Sequence, residues 1–318
     1  MSYADDRLSM LTQMDCFGLT DLGRKRPTNQ DHYLIADLNK SMRIHDTSLT
    51  LDNETRVYGG SQGKLLIVAD GMGGEAEGER ACTIAVDQVT TYILNSLAWC
   101  FRLEEHSEHD FEDHLKEALE SCQKSIQAVV AGHPEMESMG TTMTMVYIVW
   151  PRAFVVHVGD SRCYLLRNRE LEQITVDHTM SEMMAEAGQM SREEARHSPM
   201  GHALWNVIGG RSNELSVDVY RITLECQDIL LLCTDGLYDM VPQDKLQELL
   251  NANSSAETTC RKLVDLANEN GGKDNITVIV SRFHSPRLDE PRAFVEAEVP
   301  LEELTALPSD TSKTDIIS

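Results

Sequence analysis

Basic residues are scarce in this 318-residue chain. Only 28 Lys and Arg stand against 52 Asp and Glu, so the formal net charge is −24. Nucleic acids and anionic membranes are bound by basic surfaces, so this balance argues against a protein that binds either one. No uninterrupted apolar stretch approaches about 18 residues, which predicts that no segment spans a membrane.

Closely spaced cysteine pairs and a targeting segment are also lacking. The eight cysteines are scattered, without a Cys-x-x-Cys pair. In a chain of this length the pattern indicates reduced thiols rather than disulfides or a zinc site. Residues 1–11 include Asp5 and Asp6 and lack the apolar run of a signal peptide. Together these features predict a cytoplasmic protein.

Short apolar runs separated by turn residues predict eight strands. They are Cys16–Thr20, His32–Ala36, Lys64–Ala69, Thr142–Val149, Phe154–Val158, Cys163–Arg167, Ile229–Cys233 and Asn275–Val280. Apolar residues that recur near every 3.6 positions predict helices. These are a helix from about Ala81 to Ile93, a second over Asp110–Val130, and a later pair over Pro242–Leu250 and Ala256–Asn268.

The spacing of the strands favours antiparallel pairing. Thr142–Val149 and Phe154–Val158 are joined by only a few residues around Pro151, and such a short connection cannot support a parallel pair. Hairpins together with separate helical pairs predict an α+β layered sandwich rather than a doubly wound parallel sheet.

Composition divides the chain into a core and its periphery. We predict a lead-in over residues 1–13, a catalytic domain over 14–283 and a tail over 284–318, whose proline and acidic content predicts disorder. Residues 39–63 are polar and turn-rich, which favours a long surface excursion between two strands. Residues 179–212 carry five methionines, which indicate either an adaptable surface or plain core filling.

Five aspartates stand where apolar strands begin or end. Asp70, Asp160 and Asp235 each follow such a run, Asp274 comes just before one, and Asp31 opens another. A single strand-Asp-Gly junction is most often only a turn. If five such strand ends converge, however, their carboxylates repel one another unless cations or protons neutralise them.

Oxygen ligands without a matching His or Cys cluster suit hard cations, which predicts Mg²⁺ or Mn²⁺. Gly71 lets the backbone approach a metal, so its carbonyl could be a ligand. Two cations about 3.5–4 Å apart can bridge a water, lower its pKa and hold it in line with phosphorus. The pattern therefore predicts hydrolysis of a phosphate ester.

These residues lie in motifs that resemble, in order, those of the type 2C metal-dependent protein serine/threonine phosphatases. The motifs are Gly23-Arg24-Lys25-Arg26-Pro27-Thr28-Asn29-Gln30-Asp31, Ala69-Asp70-Gly71-Met72-Gly73-Gly74, Gly140-Thr141-Thr142, Val158-Gly159-Asp160-Ser161-Arg162, Asp177-His178, Thr234-Asp235-Gly236-Leu237 and Asp274-Asn275. The match spans roughly residues 15–282, and the form around Met72 is typical of bacterial members.

The resemblance implies a four-layer αββα sandwich of two mostly antiparallel sheets flanked by helices, with two metal ions at one sheet edge. It implies that one ion is held by Asp70, Asp235 and Asp274. The second would be held by Asp31, Asp70 and the Gly71 carbonyl. Asp160, with Asp235, resembles the ligand pair of a weaker third ion.

The resemblance also implies roles beside the metals. Arg26 matches the arginine that binds the substrate phosphate, and a guanidinium suits that role because it can contact two phosphate oxygens at once. Residues 179–212 lie where the family has a flap beside the site. The implied partners are phosphorylated proteins and an opposing serine/threonine kinase, with the phosphatase acting as a monomer.

Three polar residues near the motifs favour structural roles. His178 is predicted to anchor the flap by hydrogen bonds rather than to shuttle protons. His157 lies mid-strand and is predicted to be a satisfied core histidine. Arg162 is predicted to hold neighbouring carboxylates rather than to touch phosphate.

Other functions remain open on the sequence alone. A narrow partner-switching phosphatase would act on a single regulator. A catalytically dead binding module with this fold would have lost metal ligands, whereas all five aspartates and Arg26 are present. A two-metal phosphodiesterase or nuclease would commonly add histidine ligands, and one that binds DNA would need a basic face.

Overall fold

A computed structural model describes residues 14–43, 56–74, 77–96, 108–196 and 198–284. All of them belong to one unit of the chain, and the separate unit that follows it lies outside the described part. The predicted lead-in and nearly all of the predicted tail also lie outside it. Within the described part, no helix is both long and apolar enough to cross a membrane.

One sheet has five strands in the order β1-β13-β12-β8-β9, and every neighbouring pair is antiparallel. Its strands are β1 (Met14–Asp21), β8 (Arg162–Arg167), β9 (Glu170–Gln173), β12 (Ile229–Cys233) and β13 (Ile276–Phe283). β12 and β13 are buried along their whole length. This accounts for their nearly continuous apolar sequences.

The second large sheet has the order β11-β7-β6-β3-β2, again antiparallel throughout. Its strands are β2 (His32–Arg43), β3 (Arg56–Ala69), β6 (Met143–Val149), β7 (Arg152–Val158) and β11 (Asp218–Thr223). A small sheet at its end joins β4 (Gly71–Met72), β5 (Gly140–Thr141) and β10 (Ile208–Gly209).

The described helices include both long elements and single turns. They are α1 (Glu77–Ser96), α2 (Glu108–Gly132), α3 (Met180–Glu186), α4 (Arg192–Arg196), α5 (Asp235–Tyr238), α6 (Gln243–Asn251) and α7 (Ala256–Glu269), with a 3₁₀ turn at Pro134–Met136. The Ser255 hydroxyl accepts a hydrogen bond from the Thr258 N–H and caps α7. Pro242 stands at the N-cap of α6.

Three hydrophobic clusters define four layers. Alternate residues of β3 face opposite sides: Leu65 and Ile67 pack with α1 and α2, whereas Leu66 and Val68 pack against the other large sheet. A third cluster places α6 and α7 on the outer face of that sheet. The predicted αββα sandwich of two antiparallel sheets is therefore confirmed, as are all eight predicted strands and all four predicted helices, with small changes of boundary except at β2 and β3, which are longer than predicted.

The predicted excursion over residues 39–63 is wrong in part. β2 continues to Arg43 and β3 begins at Arg56, and the two extensions pair with each other after a register shift between Asn39 and Ser41. An antiparallel ladder is held by backbone hydrogen bonds, so a polar segment without apolar alternation can extend it. Residues 44–55, between the two strands, lie outside the described residues.

Candidate metal centre

Strand ends bring the predicted aspartates to one place. Asp70, Asp160, Asp235 and Asp274 line a single cleft of about 450 Å³ together with Arg26 and Gly71. Asp31 lies next to the cleft. Its carboxylate accepts a hydrogen bond from Thr234, the residue that precedes Asp235. The fold therefore gathers every residue that the sequence singled out, although the aspartates are spread over more than 240 positions.

Asp31 is the most deeply buried of the five, with 2% of its surface exposed. Its Oδ2 accepts a hydrogen bond from the Thr234 hydroxyl at 2.8 Å. Its Oδ1 is buried and has no hydrogen-bond partner among the described residues. Burial raises the pKa of Asp31 to about 6, since the charged form has lost its water.

Asp70 is held by its backbone where β3 ends. Its carbonyl accepts hydrogen bonds from the Thr142 N–H and the Thr141 hydroxyl, both at 2.9 Å. Its own N–H donates to the Thr142 hydroxyl at 3.2 Å. Burial and the negative charges of Asp31 and Asp235 raise the pKa of the Asp70 carboxyl well above its ordinary value. The backbone is thus fixed, while the charged form of the carboxyl is disfavoured.

Gly71 has no room for a side chain. A Cβ at this position would lie 2.4 Å from the carbonyl carbon and oxygen of Gly78, at the start of α1. This close approach explains why glycine follows Asp70. The predicted use of the Gly71 carbonyl as a metal ligand stays a prediction.

Asp160 and Asp235 approach from β7 and β12. Asp160 is buried, and burial together with the charge of Asp177 raises its pKa to about 7. Asp235 begins α5, and its buried Oδ1 lacks a hydrogen-bond partner among the described residues. Burial and the charge of Asp160 raise the pKa of Asp235 well above its usual range.

Arg26 contacts Asp274. Its Nη2 donates to Asp274 Oδ2 at 2.6 Å, while about half of the side chain stays exposed. This hydrogen bond raises the pKa of Arg26. The loop that carries Arg26 is packed tightly, because a Cβ on Gly23 would lie 2.1 Å from the Asp274 carbonyl oxygen and Gly23 has a φ of +78°. Arg26 therefore lies at the site, where it pairs with a predicted ligand.

These residues suit divalent cations. They supply carboxylate oxygens, and two of these, on Asp31 and Asp235, are buried without hydrogen-bond partners among the described residues. The pKa values of Asp31, Asp70 and Asp235 are raised by burial and by neighbouring carboxylates, and bound cations would relieve both effects. Among the described residues, however, the carboxylate oxygens of Asp70, Asp235 and Asp274 do not all lie within 4.8 Å of one another. Arg26 holds Asp274 in the arrangement seen.

A histidine also lies at this site, which the sequence interpretation missed. One ligand atom from each of Asp160, His202 and Asp235 lies within 4.8 Å of the others. His202 lies in the flap, and it belongs to none of the sequence motifs that contain the aspartates. The expectation of a site without nearby histidine was therefore wrong.

Thr234 and Asn275 also contribute, although sequence reasoning gave them no role. Besides donating to Asp31, the Thr234 hydroxyl accepts from the Thr277 N–H at 3.0 Å. The Asn275 side chain accepts from the Gln30 N–H at 2.9 Å and donates to the Thr28 carbonyl at 3.0 Å. Their positions next to Asp235 and Asp274 were the available signal. Both residues fix the loops that carry the carboxylates.

Arg162 holds a carboxylate, as predicted, but the partner is Asp177. Its Nη2 lies 2.6 Å from Asp177 Oδ2, and its Nε is 3.0 Å from both carboxylate oxygens. Its Nη1 donates to the Tyr164 hydroxyl at 3.0 Å, and its guanidinium carbon lies 3.5 Å from the centre of the Tyr238 ring. Asp177 therefore occupies the edge of the guanidinium formed by Nε and Nη2.

The two predicted structural histidines are confirmed. His178 joins the flap to the core, because its N–H donates to the Gly159 carbonyl at 2.7 Å and its Nδ1 accepts from the Gly159 N–H at 3.1 Å. His157 is fully buried and bonds Thr144 and the Val176 carbonyl. Burial lowers the pKa of His157 to about 3, so it stays neutral.

The flap methionines are not core filling. Of Met180, Met183, Met184, Met190 and Met200, none is buried, and Met183 and Met200 are among the exposed large apolar residues. The interpretation as an adaptable surface stays a prediction.

A two-sheet αββα sandwich with carboxylates gathered at one end defines the class of metal-dependent protein phosphatases. The profile of the family described as protein phosphatase 2C matches residues 44–276, more than half of the chain. The chain therefore belongs to the protein phosphatase 2C family.

Relatives from several bacteria support this assignment. The serine/threonine phosphatase stp of Listeria monocytogenes is 32% identical over 216 residues, which cover 68% of this chain and 83% of the relative. Protein phosphatase PhpP of Streptococcus pneumoniae is 31% identical over 261 residues, covering 82% of this chain and 94% of the relative. The predicted bacterial type and the predicted class of enzyme, a protein serine/threonine phosphatase, are confirmed.

Solved structures agree with the fold. The Mycobacterium tuberculosis serine/threonine phosphatase PstP/Ppp superposes with a TM-score of 0.68 at 29% identity, covering 86% of this chain and 99% of that one. A second structure, of the PstP catalytic domain with two manganese ions, has a TM-score of 0.65 at 28% identity over the same shares. The predicted metal-dependent chemistry with manganese is thereby supported.

Proposed function

We propose that this protein hydrolyses phosphoserine and phosphothreonine in proteins with two divalent cations, Mn²⁺ or Mg²⁺. Asp70, Asp235 and Asp274 would hold one cation. Asp31, Asp70 and the Gly71 carbonyl would hold the other. The observation that carries this proposal is the buried, mutually repelling carboxylate cluster, whose orphan oxygens on Asp31 and Asp235 lack any protein donor among the described residues.

When bound, such a pair of cations lowers the pKa of a water molecule and stabilises charge on the phosphoryl oxygens. The protein's own residues position the reactants. Thr234 fixes the Asp31 carboxylate, and the Thr141 and Thr142 bonds fix the backbone of Asp70. Asp274 would hold a cation, and the guanidinium of Arg26 beside it would then be available to contact oxygens of the substrate phosphate.

We further propose that the substrates belong to a signalling pair in which a serine/threonine kinase supplies the phosphate. The relatives named serine/threonine phosphatase and protein phosphatase support a phosphoprotein substrate. The net charge of −24 supports a protein that does not bind nucleic acid or an anionic membrane. The seven described cysteines are all free, which supports a cytoplasmic location. We propose that the protein acts as a monomer.

The test is phosphate release from a phosphothreonine peptide with Mn²⁺ or Mg²⁺, with EDTA, and in Asp70→Asn. We expect release that needs the metal and that EDTA and the substitution both abolish. Asp265→Asn is the matched control, because Asp265 is exposed on α7 and lies outside the site. No release from folded, metal-loaded wild-type protein would overturn the proposal. A binding module with this fold would then be favoured.

A further inference from the structure

The flap holds His202 in a defined place beside the carboxylates. The residue follows α4, and the backbone around it is bonded to the other end of the flap. The Met180 N–H donates to the Ala203 carbonyl at 2.8 Å, and Thr179 and Leu204 form an isolated β-bridge. The imidazole itself is about 60% exposed. Its position is therefore fixed by the backbone rather than by packing.

The imidazole stands between two carboxylates. His202 Nδ1 lies 4.0 Å from Asp235 Oδ2, and Nε2 lies 3.5 Å from Asp239 Oδ2. With Asp160 and Asp235, it forms the described group of three ligand atoms within 4.8 Å of one another. Asp160 is buried, and Asp235 Oδ1 has no hydrogen-bond partner in the described part of the chain. The group thus brings three possible ligand atoms close together and contains a carboxylate with an unsatisfied oxygen.

This arrangement resembles a metal site in which a second carboxylate orients the histidine ligand. A histidine that binds a metal through one ring nitrogen usually donates its other N–H to a carboxylate, which orients the ring. With Nδ1 facing Asp235, Asp239 occupies the place of that carboxylate. A nitrogen ligand also changes the preferred ion. Mg²⁺ favours an all-oxygen shell, whereas imidazole suits first-row transition ions.

We propose that His202 is the nitrogen ligand of a third cation site with Asp160 and Asp235, and that this site takes a transition ion in preference to Mg²⁺. The inference rests on the proposed function, because Asp235 is shared with the proposed two-cation centre. A bound ion would also join the flap to the core directly. His202 would thereby make the position of the flap depend on the metal supplied.

The test uses Mn²⁺ as the probe and electron paramagnetic resonance as the readout. Bound Mn²⁺ is counted at saturation, and electron spin-echo modulation reports any ¹⁴N bound to the ion. We expect three Mn²⁺ ions and ¹⁴N modulation in the wild-type protein. We expect two ions and no ¹⁴N modulation in His202→Ala. His133→Ala, which removes a half-exposed histidine paired with Glu135, should match the wild type.

The outcomes distinguish the proposed role of His202 from the proposed two-cation centre. ¹⁴N modulation that persists in His202→Ala, or three Mn²⁺ ions without it in the wild type, would overturn the role of His202. If a 100-fold excess of Mg²⁺ abolishes the ¹⁴N signal while the other ions stay bound, the preference for a transition ion is overturned. Binding of no Mn²⁺ at all would instead contradict the two-cation centre. The two ions that remain in His202→Ala also show that the variant is folded.

Discussion

Two polar clusters lie side by side near the ends of β7, β8 and β12, and they differ in how their atoms are satisfied. In the arginine cluster, which consists of Arg162, Tyr164, Asp177 and Tyr238, the guanidinium meets a carboxylate, a hydroxyl and a ring face. In the carboxylate cluster, which consists of Asp31, Asp70, Asp160, Asp235 and Asp274, buried and partly buried carboxylates face one another, and two of their oxygens lack hydrogen-bond partners among the described residues.

The difference teaches which cluster supports the fold and which supports function. A buried charge that is paired and hydrogen-bonded can be tolerated, although removing one partner leaves the other uncompensated. Buried like charges without partners cost stability, and proteins retain such arrangements where a ligand or reaction requires them. The arginine cluster should therefore matter for unfolding, and the carboxylate cluster for turnover.

The largest expected effect is on the chemistry. Asp235→Asn should lower kcat on a phosphothreonine peptide by about 10³-fold or more, because it removes a ligand proposed for two cation sites. The same change should raise the melting temperature of the metal-free protein, since a repelled buried charge disappears. Steady-state kinetics and thermal unfolding in EDTA measure the two effects. Unchanged kcat would remove Asp235 from the proposed centre.

The arginine cluster should show the opposite pattern. Arg162→Ala should lower the free energy of unfolding by about 3–5 kcal/mol, because Asp177 stays buried without its partner. Urea unfolding of the metal-free protein measures the loss. Arg261→Ala is the control, since its pair with Glu257 is exposed and should contribute less than about 1 kcal/mol. Equal losses in the two variants would contradict a special role for the arginine cluster.

Arg26 is relevant to both structure and function, because it forms an ion pair with Asp274 and is proposed to bind the substrate phosphate. Arg26→Ala should lower kcat/KM by about 10- to 100-fold, the effect of losing a charged hydrogen bond. Arg26→Lys should recover only part, because an ammonium cannot contact two oxygens in the planar guanidinium geometry. Initial rates over a range of peptide concentrations test this. Full recovery by lysine would argue against bidentate binding.

The smallest effect concerns pH. The pKa values of Asp31 and Asp160 rise to about 6 and about 7 in the folded protein, above the ordinary value of 3.8. The folded chain therefore holds protons that the unfolded chain has released. The metal-free protein should lose stability as pH rises from about 5.5 to 8, by about 1–2 kcal/mol.

Urea unfolding in EDTA at several pH values measures that trend. Asp160→Asn should weaken it, because one of the carboxyls with a raised pKa is gone. Saturating Mn²⁺ should abolish it, since cations stabilise the ionised carboxylates. Stability that instead rises over this pH range without metal would show that the pKa values of these carboxyls are not raised in the folded protein.

Much of the fold was predictable from local signals. The eight predicted strands are apolar runs whose burial follows from their own sequences, and all eight exist. The sequence did not predict β9, β11 or the three two-residue strands β4, β5 and β10. β11 is a half-buried edge strand without a continuous apolar run, so its sequence carried little signal. Pairing within residues 39–63 was missed because backbone bonds, rather than side chains, extend that ladder.

The aspartates at the strand ends, the glycine after Asp70 and the membership of the family could all be recognised in the sequence, because each depends on residues adjacent in the chain. Which distant groups contact these residues depends on the packing of the folded chain. Thr234 reaches Asp31 across 203 positions, and His202 reaches Asp235 from the flap. Such contacts depend on how the two sheets and the flap are packed, since convergence of separate strand ends leaves no mark on any single segment.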